Sequence, residues 1–312
     1  MLNLTRRDFL QTAALSTAAL ALAGQTVAQA APDLRKYEPN LRDRLWMWGH
    51  GPGTTDMGDG GYNIPKGSKI DMADAIDAMG IPNVCVIRWL GKPEPPFDEY
   101  IKQFHKTKRV AWSVVDSCRH SFAQKKQWAF ELSEKMPNLV SLYLDDYFHG
   151  VSVPPAGQID SPASLTLDQI RHLRKEMETL KRPTDLSVVL YSYQLASGGA
   201  GLKRHLDACD VVSFWTWHAT DLAALEDNFK RYREIEPNKP TLLGTYMWDF
   251  GNAKPITMEL MKLQLNFALE QFKQGQIDGM IFHCTPLVDR GIEAVEYSKK
   301  WIAEYGDLVR EK

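Results

Sequence analysis

Cysteine is scarce: the 312 residues hold four, at positions 85, 118, 209 and 284, with no C-x-x-C pair among them. That spacing supports neither a zinc ribbon nor a dithiol redox motif. Positive charge is not in excess either. Lys and Arg number 37 against 39 Asp and Glu, for a net charge of −2, with no basic stripe; nucleic acid is therefore excluded as a partner. The chain has no apolar run of the roughly 20 residues that a membrane span needs, which argues against a permanent membrane anchor. No G-x-G-x-x-G follows the first strand, no G-K-[ST] closes the glycine-rich segment, and no serine sits in a nucleophile elbow, Ser117, Ser192 and Ser213 included. A dinucleotide fold, a P-loop and a serine hydrolase all lose their sequence signatures.

What is present begins with an address. Thr5-Arg6-Arg7-Asp8-Phe9-Leu10 is a twin-arginine motif, followed by an Ala/Leu stretch from Ala13 to Ala23 and by Ala28-Gln29-Ala30, an A-x-A cleavage site. No cysteine follows the apolar stretch to carry a lipid. The expectation is a signal over 1–30, read by the twin-arginine export machinery and cleaved after Ala30, with the mature protein periplasmic or secreted. Removing two positive charges and one negative takes the net charge from −2 to −3. Twin-arginine substrates fold before export, in a reducing compartment, so the cysteines are expected as buried free thiols rather than disulfides.

After an extension over 31–43, one unit repeats through 44–312. Strands are expected at 44–50, 83–89, 109–116, 139–146, 186–193, 210–217, 241–248 and 278–284. The intervening helices are expected near 70–79, 97–106, 122–136, 167–181, 201–208, 221–235, 257–274 and 291–305. Ile170, Leu173, Met177 and Leu180 keep the helical spacing, as do Leu222, Leu225, Phe229 and Tyr232. Thr166 and Gln169 form a capping box, and Pro137, Pro183 and Pro237 punctuate helix ends. Eight alternations, short helix-to-strand returns and long strand-to-helix loops predict an α/β fold, a (β/α)8 TIM barrel.

In such a barrel the strand ends carry the chemistry. They deliver Trp46, Trp48 and His50; Arg88 and Trp89; Asp116; Asp145, Asp146, Tyr147 and His149; Tyr191 and Tyr193; Trp215, Trp217 and His218; Tyr246, Trp248 and Asp249; and His283. The chain has 32 aromatic residues, and four same-face i, i+2 aromatic pairs crowd these ends. About half of such residues are expected to be barrel packing. The rest suit sugar rings, which stack their C–H faces on aromatics and take hydrogen bonds at their edges. Arg88 is expected either to pair with an Asp or to clamp a substrate carboxylate. Gly51 to Gly67, with six glycines, is read as a mobile lid.

No glutamate ends a strand, so carboxylate chemistry falls to Asp116, Asp145, Asp146, Asp249 or Asp289. The adjacent pair Asp145-Asp146 stands out. Paired charges have no structural use at the tip of an apolar strand, and partial burial pushes one of them toward its protonated form. Strand parity sends Asp145 with Ser141 and Tyr143 into the barrel interior and leaves Asp146 at the rim. Two neighbouring carboxylates cannot straddle a glycosidic bond as an opposed acid and nucleophile do. Either Asp249 or Asp116 supplies the second group from another strand, or the substrate supplies its own nucleophile.

Leu144-Asp145-Asp146-Tyr147-Phe148 resembles the fourth-strand signature, D-D-Y-F-Y-P, of bacterial glycoside-hydrolase-like barrels related to peptidoglycan-processing lipoproteins. It departs from that signature at His149-Gly150. The pair is also similar to that of O-GlcNAcase-type hexosaminidases. The second likeness implies that Asp145 orients an acetamido group and that Asp146 is the general acid. The expected function is an exported carbohydrate-active enzyme, a glycoside hydrolase acting on an oligosaccharide or polysaccharide without cofactor or metal. Asp146 and Asp145 are its catalytic residues; Asp249, Asp116, Tyr191 and Tyr193 are their candidate partners. Trp48, His50, Arg88, Trp89, Tyr147, His149, Trp215, Trp217, His218, Tyr246, Trp248 and His283 are expected to bind substrate. The rival readings are a metal-dependent sugar isomerase or epimerase built on the rim histidines, and a glycan-binding barrel without catalysis.

Overall fold

The computed structural model describes residues 33, 35–57, 61–116, 119–148, 163–196 and 199–310. The export signal read over 1–30 lies outside them, as do Cys118 and His149.

Eight parallel strands close into a barrel in sequence order: β1 Leu45–Gly49, β2 Asn83–Val86, β3 Arg109–Val115, β4 Leu139–Leu144, β5 Asp185–Tyr191, β6 Val211–Trp215, β7 Thr241–Tyr246 and β8 Gly279–His283. Each falls within one residue of an expected strand range. Around them lie α1 Met72–Met79, α2 Phe122–Lys135, α3 Leu167–Met177, α4 Gly199–Asp207, α5 Leu225–Ile235, α6 Met258–Lys273 and α7 Glu293–Tyr305. Both Ser121 with Gln124 and Thr166 with Gln169 form complete capping boxes. The second unit differs from expectation, because Tyr100–Lys106 is a 3-10 helix. Pro93, Pro95 and Pro96 crowd its approach, and Phe97, ahead of the helix, and Tyr100, its first residue, both face Trp112, at ring separations of 5.3 and 6.4 Å.

The barrel is filled, not hollow. Strand parity holds inside β4: Ser141 Oγ meets Ser187 Oγ at 2.7 Å and Tyr143 Oη meets Ser213 Oγ at 2.8 Å across the interior. Leu142 and Leu144, of the opposite parity, are fully buried. The end away from the site is closed by Tyr37, under which the buried Arg109 guanidinium lies at 4.5 Å. Arg109 also pairs with Asp43 at 2.9 Å, and Lys108 reaches the same carboxylate. Burial alone would raise Asp43; the hydrogen bonds from Arg109 and Lys108 overcome that and bring it down to about 2. Cys85, Cys209 and Cys284 are free, buried thiols, each pushed upward by burial. Among the described residues no helix is long and apolar enough to cross a membrane.

Candidate active site

A cleft of about 610 Å3, counting its open mouth, sits over the C-terminal ends of the strands. Its floor and walls come from the last residues of strands. Register places Trp48 beside His283 and Tyr246 beside His283, so the His283 imidazole stacks on Trp48 at 4.0 Å and meets Tyr246 edge-on at 5.0 Å. Trp215 lies flat across the floor, which requires Gly244: a Cβ there would come within 2.0 Å of its ring. Trp217, Trp89, His50 and Tyr191 complete the lining drawn from the expected residues.

Asp145 and Asp146 are the carboxylates that line this cleft among the described residues. In a continuing strand they would point to opposite faces. The β4 ladder instead ends at Leu144, and Asp146 takes a left-handed backbone at φ 44°, a conformation that Asp tolerates better than most residues. That turn brings the second carboxylate back to the cleft. Two anchors hold the segment: buried Gln194 accepts from Tyr191 N at 2.9 Å and donates to Phe148 O at 2.8 Å, and Tyr147 Oη meets His205 Nδ1 at 2.8 Å.

The two acids differ in setting. Asp145 is buried and accepts a hydrogen bond from Trp48 Nε1 at 3.2 Å. Burial raises its carboxyl well above the ordinary range; the charge of Asp146 and, more weakly, that of Asp116 push the same way, against the indole. Asp146 stands at the mouth and, as a residue, is exposed to solvent. The cleft walls crowd its carboxyl and raise it as well, while the Tyr191 phenol donating to Oδ1 at 2.7 Å opposes that rise. Neighbouring carboxylates of this kind release their protons in separate steps that belong to the pair. The histidines are neutral: burial pushes His50 down to about 4 and His283 well below its usual value, with His50 adding to the effect on His283.

Several expected site residues are employed elsewhere. Arg88 does not line the cleft: it donates to Pro93 O and Gly91 O at 3.0 and 2.9 Å and lies over Trp128 at 4.9 Å, stapling its own loop. Asp116 is tied to buried Lys125 at 2.5 Å and to Ser113 at 2.9 Å. Asp249 accepts from Ala219 N and from the backbone and side chain of Asn252, capping a turn. Tyr147 is buried against His205 rather than open to substrate. Trp248 does not line the cleft; its indole donates to Tyr62 O at 2.9 Å and supports the wall from behind. His218 is half-buried with its ring against Gly251. Tyr193 lies outside the cleft lining, 42 % exposed and stacked on Tyr191 at 5.3 Å. Asp289 accepts from Lys69 N.

The wall also holds residues that strand-end reasoning passes over: Thr55, Tyr62, Ile64, Phe250 and Cys284. The glycine-rich segment supplies the first three. It is fastened rather than loose where it is described. Gly67 N donates to both oxygens of Asp56, and Asn63 Nδ2 donates to Ala253 O at 3.1 Å. Tyr62, the one aromatic residue between Gly51 and Gly67, was the available signal; Phe250, behind a capping Asp, offered none. Among the described residues no three of His, Cys, Asp or Glu converge closely enough to hold a metal ion.

No family model and no curated protein matches the sequence. Solved structures do resemble it. The catalytic domain of a hyperthermophilic chitinase from Pyrococcus furiosus matches 89 % of this chain and 100 % of its own at TM-score 0.56 and 14 % identity. Active domain 2 of a thermostable chitinase from the same organism, in catalytic-site mutants complexed with chito-oligosaccharides, gives 0.53 and 13 %, covering 90 % of this chain and all of its own. The Bacillus megaterium spore cortex-lytic enzyme gives 0.52 and 8 %, over 86 % of this chain and 75 % of its own. What this chain shares with these enzymes is the (β/α)8 barrel. At these identities the likeness establishes the architecture alone, and the site must be argued from its own residues.

Proposed function

We propose that the protein is an exported glycoside hydrolase that cleaves a 2-acetamido sugar by substrate assistance, with Asp146 as general acid and Asp145 as the group that orients the acetamide. One observation carries this reading: among the described residues the acids facing the cleft are one adjacent pair, while Asp116 and Asp249, which might have faced them, are held in structural contacts. A side-by-side pair lacks the opposed geometry of a protein nucleophile and acid. The missing nucleophile is then the substrate's own acetamido oxygen. That oxygen attacks the anomeric carbon as the glycosidic bond breaks, and Asp146 passes its proton to the departing oxygen. Asp145 accepts the acetamide N–H, which favours the attacking geometry and offsets the positive charge that develops on the ring. Water then opens the cyclic intermediate and returns a proton to Asp146.

Burial raises both carboxyls, and exposure separates their roles, because Asp146 is the one that stands at the mouth of the cleft. A general acid must keep its proton to higher pH than a free carboxyl does; crowding by the cleft walls raises Asp146 in that direction, and the residue stands within reach of solvent. The aromatic walls supply stacking faces for the sugar. The resemblance of the strand-four segment to O-GlcNAcase-type hexosaminidases, and the chitinases among the structural neighbours, point to the same substrate chemistry. Export rests on the twin-arginine motif and the A-x-A site of the sequence. Replacing Asp146 by Asn tests the reading. Turnover of an aryl N-acetylglucosaminide should fall about 10²- to 10⁴-fold while ligand affinity changes only a few-fold. Retention of turnover refutes the role of Asp146, and absence of turnover in the parent protein favours a glycan-binding barrel.

A further inference from the structure

We infer that the sugar seated against Asp145 and Asp146 carries no negative charge, so that glycans bearing a carboxylate on that ring, as uronic or lactyl-ether hexosamine units do, are rejected. This rests on the hydrolase reading and narrows its substrate class. The cleft lining contains two carboxylates and no lysine or arginine among the described residues. Arg88, the cation whose strand-end position would suit a clamp, has its guanidinium turned onto Pro93 O, Gly91 O and the Trp128 face. The two imidazoles that line the cleft, His50 and His283, are buried among aromatic rings, and burial keeps both neutral at ordinary pH. The segments near the strand ends that fall outside the described residues, 58–60, 117–118, 149–162 and 197–198, contain no Lys or Arg; their charges are Asp59 and Asp160.

The consequence follows from Coulomb's law. With one proton shared, the acid pair keeps about one negative charge. A substrate carboxylate some 6 Å away, at the effective dielectric typical of such sites, meets a repulsion worth roughly a hundredfold in affinity. A neutral acetamido sugar meets none, and its N–H turns the same charge to advantage.

Three aryl β-glycosides isolate the effect: N-acetylglucosaminide, N-acetylmuramide with its lactyl carboxylate, and the methyl ester of the muramide, which keeps the bulk and removes the charge. The expected order of kcat/KM is N-acetylglucosaminide, then the ester, then the free acid, with the ester at least about tenfold above the acid. Equal rates for ester and acid, or an acid turned over as well as the N-acetylglucosaminide, overturn the inference. If none of the three is hydrolysed, the hydrolase reading fails on its own. The corresponding free sugars, titrated by tryptophan fluorescence, then still decide the charge question, because the inference expects the acid to bind most weakly and equal binding overturns it.

Discussion

Replacing Tyr191 by Phe isolates the one hydrogen bond that links the proposed acid to the barrel. The Tyr191 phenol donates to Asp146 Oδ1 at 2.7 Å. Its ring lies parallel to that of Tyr193 and edge-on to Trp217, so phenylalanine keeps the packing and loses the donor to Asp146 together with the phenol's hydrogen bond with Tyr246. A donor of this kind favours the ionised carboxylate. A hydrogen bond to a charged group contributes about 1.5–3 kcal/mol, and about 1.36 kcal/mol corresponds to one pKa unit. The full effect is therefore about one to two units. Asp146 is exposed as a residue, and solvent replaces part of the lost bond, which places the expectation near the lower end, about one unit. The sign is fixed: without its donor, Asp146 holds the proton to higher pH. The alkaline limb of the kcat/KM profile, which reports the acid form of the free enzyme, should move upward by about one pH unit in Tyr191→Phe. The acid limb should stay within a few tenths. Circular dichroism would verify that the variant is folded. An alkaline limb that does not move, or moves down, shows that the group titrating there is not the carboxylate bonded to Tyr191, and the assignment of Asp146 fails.

Two stability predictions use the same reasoning at opposite ends of the barrel. Asp145 has its folded-state pKa raised by burial and by Asp146, so its contribution to stability is present below the unfolded carboxyl value and is lost as pH rises through the raised one. Asp145→Asn, which can still accept from Trp48, should therefore melt higher than the parent at neutral and alkaline pH, with the gain vanishing below about pH 3.8; a gain that persists unchanged in acid refutes this. Asp43 is the reverse case, lowered to about 2: its contribution is present above the unfolded value and is lost as pH falls through about 2. Asp43→Asn should cost about 1–2 kcal/mol in urea unfolding at pH 7, the lower figure allowing for the solvent-screened Lys108 arm, and the cost should fade as pH falls through about 2 and vanish below it.

The fold was legible in the sequence because each of its levels repeated the same message. Alternating strands and amphipathic helices, a capping box at Thr166 and asymmetric loop lengths all required the same barrel. The site was most legible where strand parity reached, although His50, Trp89 and Trp217, just beyond their strands, also line the cleft as expected. Trp48, Tyr191, Trp215, Tyr246 and His283 all lie within strands that run to their positions, and all five line the cleft. Arg88 lies two residues beyond the end of β2, Trp248 two beyond β7, Tyr147 and His218 three beyond β4 and β6. There the ladder no longer fixes side-chain direction, and local hydrogen bonds turned these residues aside. Asp146 shows the same freedom used the other way, since a left-handed turn just past the ladder brings it into the cleft. Tyr62 and Phe250 belong to loops, whose aromatic content carries no period from which a direction can be read.

The measurement that bears most directly on substrate assistance is a paired assay on aryl β-glycosides of N-acetylglucosamine and of glucose, identical except for the 2-substituent. A mechanism in which the acetamido oxygen attacks the anomeric carbon requires that group, so the N-acetylglucosaminide should be turned over and the glucoside should show no rate above background. Equal turnover of the two would contradict the account, because the nucleophile would then have to come from the protein or from water.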